Sequence, residues 1–283
     1  MNQRFTKFAA EQTASRGKKL HSELRRAMRT PEDPEAIHDL RVAIRRFTQC
    51  LRTFRQFLDR NSTKKIRRRL RKVMDACGAA RNIDIALEVL AAAGAGGQTL
   101  LEDLRKERPR RQKRLVQRLK QWRRRKRFKA LTTVPQFKRT APGPWDGGSD
   151  AAANAARVLT ALAAELFESG GRAAEAGSTH EDLHQFRLQA KRFRYTLELF
   201  GSVYGEKLDA RIALLGGIQD KLGAMNDCVT TLPLIAGNAS AEKSVRNLLA
   251  AREDDFRRYW RERAARSQAN WVKWLGAAPK TAS

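Results

Sequence analysis

Two stretches carry residues whose types and spacing could do chemistry. Residues 37–47 read IHDLRVAIRRF, and residues 183–193 read LHQFRLQAKRF. Each opens with a histidine, followed by arginine three residues on and a pair of cations at the seventh and eighth positions: His38, Arg41, Arg45 and Arg46, then His184, Arg187, Lys191 and Arg192. On an ideal helix His38, Arg41, Arg45, Gln49 and Arg52 fall within an arc of about 80°, while Leu40, Ile44, Phe47, Leu51 and Phe54 fill the opposite arc. His184, Arg187, Lys191, Tyr195 and Glu198 repeat the arrangement, with Phe186, Ala190, Phe193, Leu197 and Phe200 opposite. Cations one helical turn apart, at ~5.4 Å of rise, can engage successive anionic groups of an extended chain. Arginine offers a planar fork for phosphate, lysine a mobile charge, and histidine a donor that becomes cationic beside an anion.

A polar face opposite an apolar one is also what any surface helix has. Repetition and sign separate these stripes from that reading, because an ordinary solvated face mixes charges. The elements that must position the stripes are helical throughout. Ala, Leu, Arg, Gln and Glu dominate long windows with apolar residues at three- and four-residue spacing, and β-branched alternation is rare, so the fold class is all-α. Breaks at RTPEDPE, DRNST, GAGGQ and KRTAPGPWDGGSD predict helices over 5–29, 35–59, 63–92 and 98–130. FESGGRAAEAGST, FGSVYGEK and IAGNAS predict four more over 150–168, 180–200, 206–235 and 240–275.

The halves align at an offset of 146 around the histidines, pairing Phe47 with Phe193 and Phe54 with Phe200. At an offset of 145, ACGAARNIDI pairs with KLGAMNDCVT, setting Gly78 against Gly223 and Asn82 against Asp227. This predicts an internal duplication: a first four-helix bundle over 1–132, a linker over 133–149 and a second bundle over 150–283.

Charge narrows the partner. The 283 residues hold 58 Lys plus Arg against 30 Asp plus Glu, a net +28, so a polyanion is the natural ligand. Most of the excess is in the first half, where 105–129 is dense in Lys and Arg with Glu107 as its one acid and KKIRRRLRK occupies 64–72. These segments extend the expected anion track. Nucleic acid would satisfy the same charge, with Trp122, Phe128 or Trp271 as candidate stacking platforms. Trp122, however, is in register with the apolar Leu115 and Leu119, and no nucleic-acid motif is present.

Other chemistries find little support. HEDLH at 180–184 fits the zinc protease pattern, yet STHEDL also reads as a helix start capped by Ser178 or Thr179, and Arg187 and Lys191 would set cations beside the metal. Phosphate-loop and serine-nucleophile motifs are absent, and carboxylates are scarce near the stripes, so the expectation is binding without catalysis and without a cofactor. Cys50, Cys77 and Cys228 have no metal-ligand spacing. No apolar run approaches the ~20 residues that cross a bilayer, and the start lacks a secretory signal, which makes the cytoplasm the expected location and membrane insertion unexpected.

The two histidine-led helices resemble those of the CHAD family, the conserved histidine α-helical domain, through IHDLRVAIRRFTQCLRTF and LHQFRLQAKRFRYTLELF, with CGAARNIDI and IQDKLGAMNDC following as turns. The resemblance spans about residues 5–275. It implies two four-helix bundles about a pseudo-twofold axis, binding of inorganic polyphosphate along a basic surface between them, and association with polyphosphate granules. Position by position it implies His38, Arg41, Arg45 and Arg46 in the first motif and His184, Arg187, Lys191, Arg192, Arg194 and Tyr195 in the second, while Arg52 rests on helical geometry alone. The family's usual Arg-Asp is here Arg81-Asn82, with Asn226-Asp227 in the second copy; these are expected to cap a helix or tie the bundles together.

Overall fold

A computed structural model describes residues 4–122, 135–137 and 142–277. The protein is all-α. Its main helices are α1 (Arg4–Arg29), α2 (Pro34–Thr53), α3 (Arg60–Ala92), α4 (Gln98–Trp122), α5 (Ala151–Ala173), α6 (His180–Leu197), α7 (Lys207–Thr231), α8 (Ala239–Tyr259) and α9 (Gln268–Gly276). The predicted helix over 98–130 is described as far as Trp122. The rest of the 105–129 basic run, and Phe128 with it, lies outside the described residues, as does part of the expected linker.

The chain divides into two compact units, Ala9–Ala141 with Asp227–Asn247, and Met1–Phe8 with Pro142–Asn226 and Leu248–Ser283. Each takes most of one half of the sequence and a short segment of the other.

In the first unit, local chemistry sets the helix starts. The Asp33 side chain accepts from the Glu35 N–H, with Pro34 in the first turn of α2, and Asp59 accepts from the Ser62 N–H at 2.8 Å to start α3. Gly94, at φ 57°, ends α3 in the left-handed region that other residues avoid. Leu40, Phe47 and Leu51 from α2 and Phe54 at its C-cap are all fully buried, as are Val73, Ile83 and Leu90 from α3 and Leu119 from α4. α4 is held against α3 by the Arg108–Asp84 ion pair at 3.2 Å and by Arg111 donating to the Ala79 carbonyl.

In the second unit Asp150 caps α5 through the Ala153 N–H at 2.7 Å. Thr179, rather than Ser178, caps α6: its hydroxyl accepts from the Asp182 N–H while Asp182 accepts from the Thr179 N–H. The Thr179 hydroxyl and backbone N–H hold the Asp182 carboxyl below the usual range. Trp145 stacks on Phe5 at 5.2 Å and on Phe200 at 5.5 Å.

Three expectations are corrected. Gly170 and Gly171 do not end α5, which continues to Ala173, because Gly170 is a packing notch: a Cβ there would stand 2.0 Å from the Trp260 ring. The helix expected over 240–275 changes pitch at that same tryptophan, passing through a π turn over Trp260–Ala264 and a 3₁₀ turn over Ala265–Ser267 before α9. Finally, Arg81-Asn82 and Asn226-Asp227 occupy no turns. Both pairs lie inside continuous helices, α3 and α7, so neither Asn82 nor Asp227 caps a helix terminus. Alanine and apolar neighbours carry the helix through Gly78 and Gly223, whose propensity cost of ~1 kcal/mol each is small beside the burial around them.

Candidate functional site

The stripe on α2 takes shape because the opposite face is consumed by the core. Leu40, Ile44, Phe47, Leu51 and Phe54 are each at most 2% exposed, which rotates His38 into solvent and leaves Arg41, Arg45, Arg46 and Arg52 half-buried. Gln49 departs from the ideal-helix expectation. It is 8% exposed, with its amide donating to Thr53 at 3.3 Å, so the neighbouring packing closes over the stripe at that position.

Arg41 is the most constrained of these cations. Its Nη1 is buried and among the described residues has no hydrogen-bond partner, and it lies 3.6 Å from where a Cβ would project from Gly78. Burial first, then the charges of Arg45 and Arg81, lower the guanidinium pKa from its ordinary value, while Cys77 opposes them. Arg81, read from the sequence as a capping or tethering residue, thus stands close enough to Arg41 to act on it electrostatically. The one acid inside the motif, Asp39, accepts from Arg26 Nη1 at 2.7 Å. Arginine stays protonated under all ordinary conditions; Arg81 is paired with Glu88 at 2.9 Å, so the repulsion an anion would chiefly relieve is that between Arg41 and Arg45.

On α6 the pattern recurs with differences. Phe186, Ala190, Phe193 and Leu197 are buried, His184 and Arg192 are exposed, and Arg187, Lys191 and Tyr195 are half-buried. Arg194 faces the protein, donating to Gln219 Oε1 at 3.1 Å and pairing with Glu198 at 3.3 Å, while Gln219 donates to the Ala190 carbonyl. It ties α6 to α7. Among the described residues a Cβ at Gly223, the counterpart of Gly78, would meet nothing within 4 Å, so the second copy lacks a glycine cradle at this position.

The other basic segments form exposed faces. Lys64, Lys65, Arg68, Arg69, Arg71 and Lys72 on α3 are solvent-facing, as are Arg110, Lys113, Arg114 and Arg118 on α4. Glu107 is shared between Arg110 and Arg111 at 3.7 and 3.2 Å. Trp122 is half-buried, and Trp271 is 1% exposed, which withdraws it as a stacking platform. In HEDLH, His180 Nδ1 lies 2.9 Å from Glu253, and among the described residues no three His, Cys, Asp or Glu side chains gather where they could hold a metal ion.

The family model described as CHAD domain matches residues 12–236, most of the chain and both histidine-led helices. The chain belongs to the CHAD family. Two solved structures share the CHAD fold seen here. One, described as the crystal structure of the CHAD domain from the plant Ricinus communis, is 19% identical with a TM-score of 0.58, over 95% of this chain and 92% of that one. The other, PptA from Streptomyces chartreusis, is 18% identical with a TM-score of 0.58, over 95% of this chain and 98% of that one. No curated protein matches this CHAD chain.

Proposed function

We propose that this CHAD protein binds inorganic polyphosphate, without catalysis, along its histidine-led cationic stripes: His38, Arg41, Arg45, Arg46 and Arg52 on α2, and His184, Arg187, Lys191, Arg192 and Tyr195 on α6. The observation that carries the reading is Arg41, a guanidinium set on Gly78 with a buried Nη1, unbonded among the described residues, and with Arg45 and Arg81 as its charged neighbours. A phosphate oxygen beside the half-buried Arg41 guanidinium makes a charge-assisted hydrogen bond and screens the cations from one another. Arg194 is engaged within the protein and contributes by holding α6 to α7.

A polymer fits better than a single small anion. The cations follow one another along a helix instead of converging on a point, and the exposed basic faces of α3 and α4 add charge in the unit that carries the α2 stripe. Capture is multivalent, so affinity grows with chain length until the available cations are occupied. The stripes carry cations but few free carboxylates, with Asp39 committed to Arg26, and a reaction at phosphorus would need acids to position a nucleophile. The repeated histidine helix supports an internal duplication into two related bundles as part of the same proposal. Among the described residues no helix is long and apolar enough to cross a membrane, and a cytoplasmic place on polyphosphate granules completes the reading.

The test is a competition titration at fixed ionic strength between long-chain polyphosphate and single-stranded RNA. Polyphosphate should win per unit charge, and R41A/R45A/R187A/K191A should weaken it far more than alanine at Lys207, Lys243, Arg261 and Arg263, which are exposed and lie outside the stripes and the basic faces of α3 and α4. Preference for RNA would replace this proposal with a nucleic-acid-binding one, and equal losses in the two variants would mean that no dedicated site exists.

A further inference from the structure

Away from the stripes, the second unit holds a cavity of about 420 Å³ between the start of α7 and α9, with Arg211, Leu214, Asn270, Trp271, Lys273 and Trp274 in its wall. The guanidinium of Arg211 lies 4.9 Å from the Trp274 ring centre and 5.7 Å from that of Trp271. Its Nε is buried, as is the indole Nε1 of Trp271, a residue 1% exposed, and among the described residues neither has a hydrogen-bond partner. Among the described residues no carboxylate pairs with Arg211 or Lys273, and none lines the cavity.

With no carboxylate beside them, the indole-stacked guanidinium of Arg211 and the Lys273 ammonium at one cavity suit an anionic group. Stacking on indole fixes the plane of the guanidinium, which leaves its fork oriented and costs little entropy on binding. With Lys273 the wall offers two positive charges and no negative one. We infer that this cavity binds a phosphate monoester, its dianionic phosphate on Arg211 and Lys273 and its apolar body against Leu214 and the indoles. Inorganic phosphate alone would leave Leu214 and the indole faces in the wall without an apolar partner. A monoester carries close to two charges near neutral pH, matching the two cations, whereas a carboxylate carries one.

Titration calorimetry of the full chain with phenyl phosphate, inorganic phosphate and benzoate tests this. Phenyl phosphate should saturate one site and bind about tenfold tighter than either of the others. R211M retains the aliphatic stem against Trp274, and K273A alters an exposed side chain, so both variants should fold; each should lose about tenfold in affinity. The indole ¹H–¹⁵N resonance of Trp271 should shift on binding. R41A/R45A, on the α2 stripe, should leave this affinity unchanged. Absence of saturation, equal binding of benzoate, full affinity in both cavity variants, or loss in R41A/R45A alone would each overturn the assignment.

Discussion

The guanidinium of Arg41 rests on Gly78, its Nη1 3.6 Å from the position a Cβ would occupy. That distance is an ordinary van der Waals contact, so alanine fits. G78A should stabilise the protein by ~0.5–1 kcal/mol in urea denaturation, because alanine loses less backbone freedom in a helix than glycine, and should leave polyphosphate affinity within about twofold. G78L must displace Arg41, and should weaken polyphosphate binding markedly in the same titration.

Salt separates built contacts from diffuse charge. Affinity for polyphosphate should fall linearly with salt on logarithmic axes, because binding releases condensed counterions. R41A/R45A should make that slope shallower by about one unit per cation removed. An unchanged slope would show that these arginines touch no phosphate.

Gly170 has no room for a side chain. With Trp260 ring carbons 2.0 to 2.5 Å from a Cβ at that position, G170A must push the ring off α5 and disturb its contacts with Phe167 and Phe186. A loss of about 1–3 kcal/mol is expected from overpacking of this kind, seen as a lower urea midpoint.

Burial, the largest influence on each, pushes the Cys50 and Cys77 thiols up to about 11. Nearby Arg16 and Arg41 oppose this, as does the Thr13 hydroxyl at Cys50. An unfolded cysteine titrates near ~8.5, so the unfolded state sheds these protons first. The stabilisation is complete below that pH and is lost as pH rises from there through about 11. The urea midpoint of the wild type should therefore fall between pH 8 and pH 10.5 by more than that of C50A/C77A, and the native thiols should resist alkylation at pH 8.

His180 and His184 satisfy a zinc pattern by spacing, but His180 Nδ1 lies 2.9 Å from Glu253 and no metal-binding group of side chains is present among the described residues. Added Zn²⁺ should leave the melting temperature unchanged in wild type and in H180A alike. A zinc-dependent rise that H180A abolishes would reinstate HEDLH as a metal site.

By itself the sequence determined the helical class, most helix boundaries, and which side of α2 and α6 is core. Those features follow from short-range rules: apolar residues every three or four positions choose the buried face, and Asp33, Asp59, Asp150 and Thr179 satisfy the free N–H groups of the turn that follows them. Tertiary structure decided what the glycines and the polar residues do. Gly170 and Gly78 look like breaks locally, yet one receives the Trp260 ring from the π turn after α8 and the other an arginine from α2, and no local propensity encodes the approach of a distant side chain. Gln49 lies on the polar arc of α2 and Arg194 beside that of α6, but the first is covered by its neighbours and the second is claimed by Gln219 and Glu198. Their roles depend on what packs over them, and that is a property of the assembled core, not of the helix that carries them.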